Sequence, residues 1–287
     1  MPVIAAVRSS GQMCRGDQSM NKMIVAGVVT TALAMAAAPA ATWVQQAPPP
    51  APAPNLGLHV EVEPAAMALV KAMTDKLAAA KAMSFTAVTT YESPDRTGAP
   101  LLYTTLSQVT MQRPDKLKVI TLGDGPRTEF YYDGKTVQAY EPASKQLATV
   151  AAPNTTDAML RAAFQRAAIY FPFTDLIVSD PLKAIAENLR IAFVVGKSIV
   201  VGGVPTDIVV LVGQHAHVQL WIGSEDKLPR MAQAIFLEDP ARYRHLVQFS
   251  DWKLDPSLAA DAFAWTAPAD AIRIPFAPPA ATAPAKK

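Results

Sequence analysis

The dipeptide Asp133-Gly134, set inside FYYDGKTVQAYEP from Phe130 to Pro142, constrains this chain more than any other feature. Asp-Gly between two short runs of β-formers marks a two-residue hairpin turn. The pattern repeats around it. SFTAVTTYES, LLYTTLSQVTMQ, KLKVITL, RTEFYYD, TVQAYEP and QLATVA follow one another, separated by SPDRTGAP, RPD, GDGP and DG, all of them turn chemistry. Five or six strands with connections this short make an antiparallel meander, not a βαβ arrangement.

Helices frame the meander. Pro64 to Met83 is rich in Ala, Met, Leu and Lys, with Met67, Val70, Met73 (or Thr74) and Leu77 on one face and Pro64 in a first-turn position. After the sixth strand, residues 154 to 168 put Met159, Leu160, Ala163, Phe164 and Ala167 on one side. An apolar cluster, Ile169 to Phe173, is then broken by Pro172. Ser179-Asp180-Pro181 starts another helix, expected to run to about Arg190. The last third returns to strands: IAFVVGKSIVV, VPTDIVVLVG, HAHVQLWIG, PRMAQAIFLED and YRHLVQFSDWKL, with Gly202-Gly203 as a hairpin turn. A flat sheet of about ten strands would expose too much apolar surface on one face. The economical fold is α+β: an incomplete antiparallel β-barrel whose concave face receives the helices.

The ends read differently from this core. From Met20 a basic Lys22, an apolar run to Ala38 and an Ala38-x-Ala40 pattern have the three-part layout of a cleaved signal peptide, too short to span a membrane comfortably. Residues 1–40 are therefore expected to be a leader, with residues 1–19 explained by a mis-assigned start. Residues 41–54, which end in APPPAPAP, read as an extended Pro-rich linker, residues 55–276 as the folded domain, and residues 277–287 as a Pro/Ala tail. The single cysteine, Cys14, precedes the apolar run, which excludes disulfides, thiolate catalysis and lipidation of the mature chain. The protein is therefore expected in the periplasm of a Gram-negative bacterium, with no transmembrane span once the leader is cleaved. The formal charge of +2 falls to zero once Arg8, Arg15, Lys22 and Asp17 leave with the leader, so nucleic acid is not an expected partner.

Signatures of catalysis are missing. No G-x-S-x-G, H-E-x-x-H, Walker A or G-x-G-x-x-G motif occurs, and no cofactor is implied. His215 and His217 point the same way on a strand, but Ala216, Val218, Leu220 and Ile222 supply its apolar alternation. The histidines and Gln219 are therefore expected to face out, with no third metal ligand indicated by spacing. Asp124, Asp133, Asp226 and Asp239 sit in turns, Arg242 and Arg244 on an outer face, and Trp221 and Trp252 in core or rim positions. Met67, Met73, Met83, Met111, Met159 and Met231 supply flexible side chains suited to an adaptable apolar pocket.

Two motifs carry a resemblance. QRPDKLKV at a strand end, with Arg113, Pro114, Lys116 and Leu117, and DGKTVQAYEP, with Asp133, Gly134, Lys135, Tyr140 and Pro142, are similar to motifs of the LolA/LppX-like superfamily of periplasmic lipoprotein and lipid carriers. LPRMAQAIF resembles a later strand of that superfamily, and the order of elements agrees over residues 60 to 276. Within it the chain looks most like a family of periplasmic proteins of unknown function. The resemblance implies a half-barrel with helices plugging a hydrophobic cavity, and the binding of a lipid, a lipoprotein acyl chain or another hydrophobic ligand, without catalysis. It also allows a different role on the same fold, an envelope-stress sensor or protein-interaction module with an envelope protein as partner. Arg113 matches the arginine that ties strand to helical lid, and it is expected to reach carbonyls over the cavity mouth; pairing with Asp115 is the simpler alternative. Gln138 stands where the hairpin motif usually has tryptophan, a departure that bears on the cargo more than on the fold. The expected cavity and lid residues are Arg113, Met111, Phe164, Tyr170, Phe171, Phe173, Val218, Leu220, Ile222 and Met231.

Overall fold

A computed structural model of the chain describes residues 61–278. The expected leader, linker and most of the tail lie outside these residues. The strands form one sheet. In chain order they are β1 (Ala82–Pro94), β2 (Pro100–Gln112), β3 (Lys116–Gly123), β4 (Thr128–Tyr132), β5 (Thr136–Glu141) and β6 (Gln146–Ala151), then β7 (Ile191–Ser198), β8 (Thr206–Val212), β9 (Ala216–Gly223), β10 (Pro229–Phe236), β11 (Arg244–Leu254) and β12 (Ile272–Ile274). Their order across the sheet is β12-β6-β5-β4-β3-β2-β1-β11-β10-β9-β8-β7. Two meanders are thus joined where β1 pairs with β11, from Met83 opposite Leu254 to Tyr91 opposite His245. The edges β12 and β7 do not meet, so the barrel is incomplete, as the turn-punctuated sequence implied.

The hairpin forms at Asp133-Gly134, but one residue later than a two-residue Asp-Gly turn, since Asp133 bonds Thr136 and Gly134-Lys135 make the tip. The Asp133 carboxylate accepts from the amides of Lys135 (2.9 Å) and Thr136 (2.8 Å). Burial opposes the charge, but these donors and Lys116 hold the carboxyl below its usual range. Gly134 has φ +94°, which favours glycine, and a Cβ there would also have to displace the Asp115 carboxylate.

The α-helices among the described residues are α1 (Pro64–Ala79), α2 (Thr156–Ala167), α3 (Thr174–Ile177) and α4 (Pro181–Ala186). Alternation along β1 turns Met83, Phe85, Ala87 and Thr89 inward. The buried face of α1, with Val70, Met73 and Leu77, joins the same core. The connection after α2 wedges aromatic rings between strands. Phe171 packs edge-on against Phe130 (centroids 5.2 Å apart), and Phe173 edge-on against Phe85 (5.3 Å).

Several boundaries differ from the sequence reading. The first helix stops at Ala79, and Met83 belongs to β1. The Asp255 carboxylate accepts from the amides of Lys81 (2.7 Å) and Ala82 (3.0 Å), while Arg113 takes carbonyls of the last helical turn, so distant residues end this helix. The helix begun by Asp180, whose side chain accepts from the Lys183 amide at 2.9 Å, ends at Ala186 instead of Arg190. The strand expected to reach Val201 ends at Ser198, and Val201–Gly203 forms a 3-10 turn with Gly202 at φ +70°. The sequence pattern marks neither α3 nor β12, which span only four and three residues. β12 pairs in parallel with β6 and is exposed.

The segment after β11 crosses the outer face of the sheet, where Trp265 stacks on Tyr131 (5.0 Å) and lies near Tyr140 (5.4 Å). Tyr131 is the cross-strand partner of Gln138. The hairpin lacks its own tryptophan, and an indole reaches the same face from elsewhere in the chain.

Candidate functional site

Between the concave face and the helical connections lies a cavity of about 530 Å³. One wall is sheet: Thr89 and Tyr91 of β1, Val218 and Leu220 of β9, Ala232 and Ala234 of β10, and Val247 and Phe249 of β11. The other wall comes from residues 168–172, Asp175 and Leu176 around α3, and Ile185 to Leu189 at the end of α4. Most of this lining is aliphatic or aromatic. A mainly apolar pocket of this size, with a minority of polar groups, suits a small or chain-like ligand that is largely apolar.

The Arg113–Pro114 corner anchors the helices that form the second wall. Arg113 donates from Nε to the Ala80 carbonyl (3.2 Å), from Nη1 to Ile177 (3.1 Å) and from Nη2 to Leu77 (3.5 Å). Next to it, the Pro114 carbonyl accepts from the Thr156 amide (2.8 Å) and hydroxyl (3.1 Å) at the start of α2. One corner therefore holds the ends of α1 and α3 and the beginning of α2. Burial lowers the pKa of Arg113, and the charge of Asp157 works against that. Asp157 in turn accepts from the Ser179 amide at 3.0 Å, linking α2 to the chain beyond α3. Asp115 pairs instead with Lys116 at 3.7 Å.

The expected helix carbonyls are the ones Arg113 contacts, but its position is not the cavity mouth. The sheet lining on β2 is Thr105 and Ser107, six to eight residues from Arg113, or roughly 20 Å along a strand. Arg113 does not itself line the cavity, but it holds the C-terminal end of α3, directly after the lining residue Leu176.

The other expected site residues divide into three groups. Tyr170, Phe171, Val218 and Leu220 line the cavity. Phe173, Met111 and Ile222 are buried in the core next to it, with Phe173 stacked under Phe171 (5.5 Å), while Phe164 is only half-buried, on α2. Met231 is a correction: it stands opposite Trp221, not Leu220, because the register shifts between Pro229 and Met231. That bulge turns Met231 to the outer face and leaves Ala232 and Ala234 to line the cavity. His215 is a second correction. It precedes β9, so strand alternation does not govern it, and it lines the cavity rim with Nδ1 2.9 Å from Glu238 Oε1. His217, inside β9, alternates with the lining residues Ala216 and Val218.

Sequence reasoning missed Asp175. It lies in the first turn of α3 and in the cavity wall, and burial pushes its carboxyl up to about 6. The signal was present: a lone acid between Tyr170–Phe173 and Leu176-Ile177 is a charge inside an apolar run. Tyr170, nearby, is pushed above its ordinary pKa by burial and then by the charge of Asp175. Across the cavity, burial holds His245 below its ordinary pKa, against the pull of Asp239 and Glu92. Among the described residues no three His, Cys, Asp or Glu side chains gather into a metal-binding group, and no helix is long and apolar enough to cross a membrane.

A family model described as "Predicted periplasmic protein (DUF2092)" matches residues 66–277. Among solved structures, LprF from Mycobacterium bovis is similar over 71% of this chain and 99% of its own, at 14% identity and a TM-score of 0.43. A LolA superfamily protein from Nitrosomonas europaea is similar over 68% of this chain and 97% of its own, at 12% identity and a TM-score of 0.31. The Pseudomonas aeruginosa MucA/MucB complex contains a chain similar over 71% of this one and 62% of its own, at 17% identity and a TM-score of 0.37. No curated protein matches the chain.

Proposed function

The chain belongs to the DUF2092 family of predicted periplasmic proteins, and from that premise we propose that it is a binding or carrier protein for a hydrophobic ligand: a lipid, a lipoprotein acyl chain or a comparable molecule. The observation that carries this reading is the cavity of about 530 Å³ between the concave sheet and the helical connections. Each methylene moved out of water into such a cavity gains about 0.8 kcal/mol, so a single alkyl chain supplies substantial affinity. The segments that close the cavity are α3, tied by Arg113 at its C-terminal end, and the connections on either side of it, an arrangement suited to admitting and releasing a ligand. The reading assigns binding and no catalytic step.

Native mass spectrometry of protein purified from its own periplasm tests the proposal, together with titration of N-phenyl-1-naphthylamine, an uncharged probe that fluoresces in apolar surroundings. A co-purifying lipid mass and saturable probe binding are expected. A bare polypeptide mass with no probe binding would sink the carrier reading. A stoichiometric protein partner recovered without lipid would replace it with the sensor or interaction role.

A further inference from the structure

The apolar cavity contains one group that such a wall does not accommodate unaided. Asp175 lines it, half-buried, with its Oδ1 occluded in the wall and without a hydrogen-bond donor from the protein. Buried polar atoms in folded proteins nearly always have a partner, so a cavity-lining carboxylate that the protein leaves uncompensated on its occluded side can gain a donor only at the oxygen turned toward the cavity, from a ligand. Desolvation is the one influence acting on this carboxyl, with no cation near enough to offset it.

The charges around the cavity agree. None of its described lining residues is Lys or Arg. Its titratable groups besides Asp175 are Glu187 at the rim, the phenols of Tyr91 and Tyr170, and His215 and His245. His215 already lies against Glu238, and burial disfavours the charged form of His245. The interior is thus neutral to negative. A ligand ending in a carboxylate or phosphate would meet Asp175 as a like charge with nothing to neutralise either group. A ligand ending in an ammonium brings three donors and the opposite charge, and its hydrogen bond to a carboxylate is of the stronger, charge-assisted kind.

We propose that the cavity selects amphiphiles with a hydrogen-bond-donating cationic head, of the alkylamine type, received by Asp175, and discriminates against those with an anionic head. This rests on the hydrophobic-ligand reading above and narrows its ligand class.

Competition at pH 7.5 tests it, with N-phenyl-1-naphthylamine as reporter and octylamine and octanoate as competitors of equal chain length. Octylamine is expected to displace the reporter at a concentration at least tenfold lower than octanoate in the parental protein. In Asp175→Asn this ratio is expected to fall to within about threefold. A parental ratio near one, or a preference for octanoate, overturns the proposal whatever the variant does. Survival of the full preference in Asp175→Asn overturns the role of that residue. Failure of the reporter to bind the parental protein is a separate outcome, and it removes the cavity reading on which the proposal stands.

Discussion

Arg113 Nη1 donates to the carbonyl of Ile177 at 3.1 Å, joining the end of a long strand to the end of a helix 64 positions later. Its Nε and Nη2 reach Ala80 and Leu77 in the same way. One guanidinium therefore replaces the water that three partly buried carbonyls would otherwise need, in a fork a lysine cannot reproduce. Arg113→Leu is expected to lower stability by about 2–3 kcal/mol, since hydrogen bonds to charged groups contribute about 1.5–3 kcal/mol and the carbonyls would be left unmet. Arg113→Lys should recover only part of the loss. Urea denaturation measures both, and amide exchange on α3 should accelerate more than exchange in the β1–β2 ladder. A leucine variant within about 0.5 kcal/mol of the parent would reduce Arg113 to an ordinary surface contact.

Asp175 gives a pH dependence whose sign is fixed. Its folded-state pKa is raised from 3.8 to about 6, so between roughly pH 4 and pH 6 the folded protein holds a proton that the unfolded chain lacks. Stability conferred relative to an ionised site is thus lost as pH rises through that window, and the loss is complete above about pH 6. A shift of about two units corresponds to roughly 3 kcal/mol as an upper figure. Asp175→Asn is expected to be about 2–3 kcal/mol more stable than the parent at pH 7.5 and nearly equal to it at pH 4. Denaturation midpoints at the two pH values decide this, and an equal difference at both would contradict it.

Ala168 ends α2 at φ +53°, in the left-handed region, with its amide bonded back to the last turn. A side chain strains that conformation and glycine does not, so Ala168→Gly should stabilise the protein by about 0.5–1 kcal/mol after the extra freedom of the unfolded chain is counted. A fall in the thermal midpoint would count against the left-handed cap.

Much of the fold was written locally. Inward alternation along β1, the Asp133-Gly134 turn and the Asp180-Pro181 helix start each depend on neighbours a few residues away, so the sequence displays them directly. The misplaced features depend on distant groups or on single backbone irregularities. The first helix ends where Asp255 and Arg113 meet it, neither of which periodicity can register. Met231 faces out because one bulge reverses the alternation from Pro229 onward, and His215 escapes alternation by standing one residue before its strand. The cavity itself is legible only as a surplus of apolar faces. Asp175, an acid with one occluded oxygen, becomes meaningful when Tyr170, Phe171 and Leu176 are seen to share its cavity wall.

The bulge at Arg230 also provides the sharpest test of which face binds. Ala232 pairs with Leu220 and points into the cavity, whereas its neighbour Met231 pairs with Trp221 on the other side. Ala232→Phe adds a ring to the apolar wall and takes up volume that a ligand would occupy. Overpacking of this kind costs about 1–3 kcal/mol, a loss that a twelve-stranded sheet with its own hydrogen-bond ladder should survive, as circular dichroism would verify. The affinity for N-phenyl-1-naphthylamine is expected to fall at least tenfold. Met231→Ala removes a larger side chain from the adjacent position but alters no cavity wall, so its affinity should stay within about twofold of the parent. The reverse outcome, binding weakened by Met231→Ala and indifferent to Ala232→Phe, would move the ligand to the outer face of the sheet.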